Sequence, residues 1–157
     1  MTTKEAIKSA VTARDELPLA ASIDWPTQKF HVSHYHEDDF KSAPNNPHVA
    51  KRDLGMVAAT GGMVEAACFR RPLPFDPAAC SPRHYHAVKF QLVYVLKGWV
   101  KLELEGQGVQ TMCEGSCWIQ PAGVKHQILE YSQGHEVLEI NIPGHHETVY
   151  DAPTSRA

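Results

Sequence analysis

A chain of 157 residues with a formal charge of −3 is long enough for one domain with a buried core, and its near-balanced charge has no basic stripe to grip nucleic acid. No apolar run reaches the length of a bilayer span, and Met1-Thr2-Thr3-Lys4-Glu5 lacks the apolar core of a signal peptide, so the expectation is a soluble, cytoplasmic protein with no membrane partner. Cys68, Cys80, Cys113 and Cys117 lack the paired spacing of a zinc ribbon and read as free thiols of a reducing compartment, although Cys113 and Cys117 flank a turn that could bring them close.

In chain order, Lys4 to Leu17 reads as a short helix with Ala6, Ile7, Ala10 and Val11 on one face, stopped by Pro18. Asp24 to Asn46 is polar and ends in the turn-rich Ala43-Pro44-Asn45-Asn46-Pro47. It contains His31, His34 and His36, whose His34-Tyr35-His36 text repeats later in the chain. No matching second half follows, so this group reads as a solvated loop rather than a second barrel or metal site. Alternation predicts strands at Met56 to Ala59 and Met63 to Arg70, then a proline-rich loop containing Pro72, Pro74, Pro77 and Pro82. Phe90 to Leu96 and Trp99 to Glu105 read as a hairpin about Lys97-Gly98, followed by strands at Gln107 to Met112 and Cys117 to Gln120. His126 to Tyr131 and Glu136 to Ile142 read as a last hairpin, and Ala152 to Ala157 as a loose end. Many short strands and one helix give an all-β class. The chain divides into an N-terminal helix and extended arm (1–53), a barrel (54–143) and a tail (144–157).

The chemistry concentrates between His84 and His126. The pattern is H-x-H-x4-Q-x6-G from His84, His86, Gln91 and Gly98, then G-x5-P-x-G-x2-H from Gly115, Pro121, Gly123 and His126. Alternate strand residues share a face, so His84 and His86 can point at one ion, and a Pro-x-Gly turn returns the chain for His126. Three imidazoles and the Gln91 amide make a first shell for one divalent transition metal, with Zn, Ni, Fe and Mn all compatible. Parity from these ligands turns Val93, Val95, Ile128 and Glu130 inward. On the last strand either face can turn inward, the aliphatic Leu138, Ile140 and Ile142 or the polar Glu139 and Asn141.

This spacing resembles the two motifs of the cupin superfamily, whose first motif carries two histidines, an acidic ligand and a glycine, and whose second carries a glycine, a Pro-x-Gly turn and the last histidine. Only the acidic ligand departs, being Gln91 here. The resemblance implies a small antiparallel double-stranded β-helix (cupin) barrel with its metal near one mouth. Val137-Leu138-Glu139-Ile140-Asn141-Ile142-Pro143 further resembles the last core strand of small sugar-acid-processing cupins of the KdgF type, which use two histidines, a glutamine and a third histidine as ligands. In that group an acid on this strand transfers the proton, and Glu139 stands at its place. The arginine found a few residues beyond it there falls near His145 here, and the long N-terminal segment is a second departure.

A shell of neutral ligands leaves the ion its full double charge, which favours Lewis-acid chemistry. The expected function is therefore a lyase or isomerase of a carbonyl- or sugar-acid-type substrate, with Glu139 and His145 as the acid/base candidates. An Fe(II)-dependent dioxygenase is the alternative, and a non-catalytic small-molecule-binding cupin is the reading from another class. Outward-facing Tyr94 and Leu96, together with the habit of small cupins, suggest a homodimer.

Overall fold

The computed structural model describes residues 26–151, so the expected helix at Lys4 to Leu17 and the loose end at Ala152 to Ala157 lie outside the described residues. Eleven strands are described: β1 (Lys41–Ala43), β2 (Asn46–Asp53), β3 (Glu65–Arg71), β4 (His84–His86), β5 (Phe90–Lys97), β6 (Trp99–Leu104), β7 (Gly108–Cys113), β8 (Cys117–Ile119), β9 (His126–Tyr131), β10 (His135–Ile142) and β11 (Thr148–Tyr150). They form a six-stranded sheet, β1-β2-β3-β10-β5-β8, and a five-stranded sheet, β11-β4-β9-β6-β7, with every pairing antiparallel. This is the all-β double-sheet barrel expected. Among the described residues no helix is long and apolar enough to cross a membrane.

The two inner faces form the core. On β5, Gln91, Val93 and Val95 are buried while Tyr94 and Leu96 are exposed; on β6, Val100, Leu102 and Leu104 are buried. Val93, Val95 and Val137 pack as one cluster, and Val100, Leu102, Leu104 and Tyr131 as another, with Phe75 edge-on to Tyr131 at 5.1 Å. Strict alternation places these apolar rows on one side of each pleat.

Both expected hairpins at β5–β6 and β9–β10 are instead corners. β5 and β10 lie in the six-stranded sheet, β6 and β9 in the five-stranded one, so each turn carries the chain across the sandwich. Local alternation reports a face, not a partner, and cannot distinguish a corner from a hairpin. Gly98 makes the first corner with φ 70°, and a Cβ there would fall 2.3 Å from Ser132 Oγ on the second corner, so the two turns touch where only glycine fits.

Three further expectations change. Met56–Ala59 is a single helical turn, not a strand. It follows Gly55 in the left-handed region, whose N–H donates to Asp53 Oδ1 at 2.8 Å, and the Thr60 hydroxyl closes it by donating to the Met56 carbonyl at 2.7 Å. The barrel also exceeds 54–143: β2, expected in the arm, pairs with β3, and β11, expected in the tail, pairs with β4. Lastly, a register shift in the β6–β9 pair advances β9 by one residue, so Tyr131 is buried and Glu130 turns out to bond Lys101 Nζ at 2.6 Å.

Residues 26–40 lie along the outside of β2 and β3. The Arg52 guanidinium, 6% exposed, donates to Ser33 Oγ at 2.9 Å and to the His34 carbonyl at 2.7 Å. His31 Nε2 donates to the Leu54 carbonyl at 3.0 Å. The histidines of this arm are thus arm-fixing or exposed groups, and they form no metal-type cluster among the described residues.

Candidate metal centre

His84 and His86 stand on the same face of β4, and His84 is the direct cross-strand partner of His126 on β9. Their rings are close: centroids lie 4.4 Å apart for His84 and His126, 5.0 Å for His84 and His86, and 5.2 Å for His86 and His126. One ligand nitrogen from each falls within 4.8 Å of the others. The Pro121-Ala122-Gly123 turn that delivers His126 has Gly123 at φ 76°, a conformation glycine adopts without strain.

Each ring has one nitrogen committed elsewhere. His84 Nδ1 lies 2.7 Å from the Pro82 carbonyl, His126 Nδ1 3.3 Å from the Val124 carbonyl, and His86 Nδ1 3.0 Å from Thr148 Oγ1. A carbonyl only accepts, so Nδ1 carries the proton in His84 and His126, and Nε2 keeps its lone pair. The Gln120 amide nitrogen facing His126 Nε2 at 3.1 Å fits that tautomer. Burial, then the charge of the neighbouring rings, brings His86 down to about 4; burial, then His84, does the same for His126. Neutral imidazoles with converging lone pairs, each oriented from behind, are what a divalent transition metal requires. The residues fit the ion.

Gln91, 2% exposed, lies one side chain away from His126. Gln120 Nε2 donates to Gln91 Oε1 at 2.9 Å while also facing His126, and Gln91 Nε2 donates to Glu139 Oε2 at 3.4 Å. The open question on β10 is resolved in favour of its polar face: Val137, Glu139 and Asn141 turn inward, opposite Val95, Val93 and Gln91 on β5. Glu139 therefore lines the same cavity as the histidines.

A second carboxylate stands nearby. Glu65 accepts from Lys51 Nζ at 2.6 Å and from Asn141 Nδ2 at 3.2 Å. Burial works to raise its pKa, but these two partners outweigh it and hold the carboxyl below its ordinary range. Glu139 forms no ion pair among the described residues, although Arg71 and Lys51 act on it weakly from a distance. Burial, reinforced by the negative charge of Glu65, pushes it up to about 7. Two acids with environments that push them apart are a recurring arrangement for proton transfer.

His145 is exposed at the cavity rim, whereas its neighbour His146 turns inward, its ring 5.5 Å from that of His86 and its Nδ1 4.0 Å from Glu65. Gln120, Glu65, Asn141 and His146 were not picked out as site residues. Gln120 shares an inward parity with Trp118 on the predicted Cys117 to Gln120 strand, a signal that was present; Glu65 had none, because its neighbours are strand residues of unknown partner. The cavity, about 670 Å³, is walled by Val93, Val100, Trp118, Ile128 and Val137 between these polar groups.

Residues 74–140, somewhat under half of the chain, match the family model described as the cupin domain. That match and the double-sheet barrel agree on a cupin fold. No curated protein sequence matches the chain. Among solved structures, this chain is similar to the polyketide cyclase RemF from Streptomyces resistomycificus, at 19% identity and a TM-score of 0.60, over 79% of this chain and 88% of that one. It is also similar to KdgF from Halomonas sp., at 20% identity and 0.54 over 71% and 94%, and to oxalate decarboxylase of Bacillus subtilis, at 18% and 0.57 over 80% and 34%. At these identities the likeness establishes the fold.

Proposed function

We propose that this cupin is a metal-dependent lyase or isomerase acting on a small organic molecule with a carbonyl- or sugar-acid-type reacting group. The observation that carries the reading is the position of Glu139: a carboxyl without an ion pair among the described residues, on the wall of the cavity that the three imidazoles share. His84, His86 and His126 would hold one divalent transition metal, with Gln91 as the fourth protein ligand, and the ion would supply Lewis-acid polarisation of a bound carbonyl or hydroxyl oxygen. Glu139 moves the proton on the adjacent carbon. Gln91 orients that carboxyl through its amide, and Glu65, fixed by Lys51 and Asn141, keeps an anionic neighbour beside it that favours its protonated form. The apolar wall excludes water from the reacting carbon, and His145 meets the substrate at the rim. The neighbours named as a polyketide cyclase and a decarboxylase agree with enzymatic use of such a barrel.

Glu139→Gln keeps the shape and the hydrogen bond to Gln91 but removes the transferable proton. Turnover is expected to fall by about 10²–10⁴-fold with metal content per chain unchanged. Undiminished turnover would remove Glu139 from the mechanism. Oxygen uptake that appears only on iron loading would transfer the protein to the dioxygenases, and tight binding without product in any screen would make it a binding cupin.

A further inference from the structure

The cavity runs past the histidines to the far end of β10, where Arg71 and His135 are cross-strand partners on the inner face. Asn141, at the level of Gln91, and His135 are six residues apart, a rise of roughly 20 Å along the strand. Between the two ends, beyond Glu139, the cavity is lined by the apolar side chains of Val93, Val137, Phe69, Trp118 and Val100. A volume near 670 Å³ lies within the range of about 300–1,000 Å³ that suits drug-sized ligands, and exceeds what a compact polar acid fills.

Charges on this wall are mostly matched. Lys51 is tied to Glu65 at 2.6 Å, and Lys41 is exposed on the edge strand β1. Arg71 is different. It is half-buried, lines the cavity, and forms neither an ion pair nor a side-chain hydrogen bond with any described residue. Its Cζ lies 5.3 Å from the centre of the buried Tyr131 ring, which holds the side chain against the interior. His135 is neutral and spends its Nδ1 on the Lys97 carbonyl at 3.2 Å, and Glu139, although it feels the Arg71 charge, forms no ion pair with it. A guanidinium carries five fixed N–H donors, and one on a cavity wall without an acceptor among the described residues is a ready site for an oxyanion, which it can bind in bidentate fashion.

We propose that Arg71 anchors the oxyanion of an elongated substrate with an apolar body, whose other, oxygen-bearing end lies at the three histidines. This deepens the lyase or isomerase reading and rests on it for the reacting end; the anchoring end stands on Arg71 and the apolar wall. A uronate, polar on every edge, would reach one end only and leave that wall uncovered.

The test is calorimetric titration of the full-length protein with biphenyl-4-carboxylate, its methyl ester and D-galacturonate, in zinc-loaded and in chelator-stripped form. The acid is expected to bind the wild type about ten-fold or more tighter than the ester in both forms. Arg71→Met should lose about ten-fold for the acid and nothing for the ester, and Arg71→Lys should retain part of the preference, with zinc content per chain unchanged in both. Equal binding of acid and ester by the wild type overturns the proposal, as does an Arg71→Met protein that binds the acid normally, or galacturonate binding tightest with no dependence on Arg71. The acid-to-ester ratio requires no variant and so decides even if Arg71→Met fails to fold. Failure of the catalytic reading would appear separately, as absent zinc binding or full turnover in Glu139→Gln, and neither affects that ratio in stripped protein.

Discussion

His84, His86 and His126 differ in what holds them from behind. Two lean on backbone carbonyls, Pro82 and Val124, which no side-chain substitution removes, while His86 leans on the Thr148 hydroxyl at 3.0 Å. Among the described residues Thr148 is thus the one side chain that bonds an Nδ1 of the cluster, and its contribution can be isolated. Thr148→Val keeps the β-branched shape on β11 but gives His86 Nδ1 nothing to bond. Zinc affinity, measured by competition with a chromophoric chelator, should fall about 10–100-fold while the fold persists. Unchanged affinity would mean that strand packing alone orients the His86 ring.

Thr148 also marks where sequence reading stops. The histidine pattern was legible because ligand chemistry fixes both residue type and spacing, and the strands because burial imposes a period of two. Pairing was not legible: β11 looked like tail, β2 like arm, and two corners looked like hairpins, since alternation is the same whichever strand lies alongside. The β9 irregularity reversed Glu130 and Tyr131 for the same reason, a one-residue shift that leaves no composition signal. Glu139 was visible as one of two faces, and the choice followed only from the Val93 and Gln91 rows opposite it. The outer face of that same sheet carries exposed Tyr94, Leu96 and Ile119, with Leu138 the register partner of Tyr94. We propose a homodimer packed through this apolar face. Light scattering coupled to gel filtration should return twice the chain mass for the wild type and the single mass for Tyr94→Glu, which places a charge in the middle of the patch; a monomeric wild type would dispose of the proposal.

Across the whole barrel the interior titrates in two opposed directions. Half-buried His86 and buried His126 and His135 are held neutral, each brought to about 4 chiefly by loss of solvent, whereas Glu139 is raised to about 7 by burial and Glu65. His135 is the cleanest case, being 3% exposed and remote from the three-histidine cluster. Above pH 6.5 it is neutral in both folded and unfolded chains. Between 6.5 and 4 the unfolded chain takes up a proton that the folded one refuses, so stability falls with falling pH, by about 3 kcal/mol over that window for this one ring. Glu139 has the opposite sign: from its ordinary value of 4.5 up to 7 the folded chain keeps a proton that the unfolded one releases, so its burial costs stability as pH rises. The net slope in acid is therefore set by the histidines together with Glu65, held below its ordinary range by Lys51 and Asn141, and is partly offset by Glu139. Urea midpoints of chelator-stripped protein should decline from pH 6.5 to 4, less steeply in His135→Leu and more steeply in Glu139→Gln, where the offsetting group is gone. Parallel profiles for the three proteins would show that neither side chain is held in the charge state that its surroundings impose here, and the proton-transfer role of Glu139 would lose the environment on which it depends.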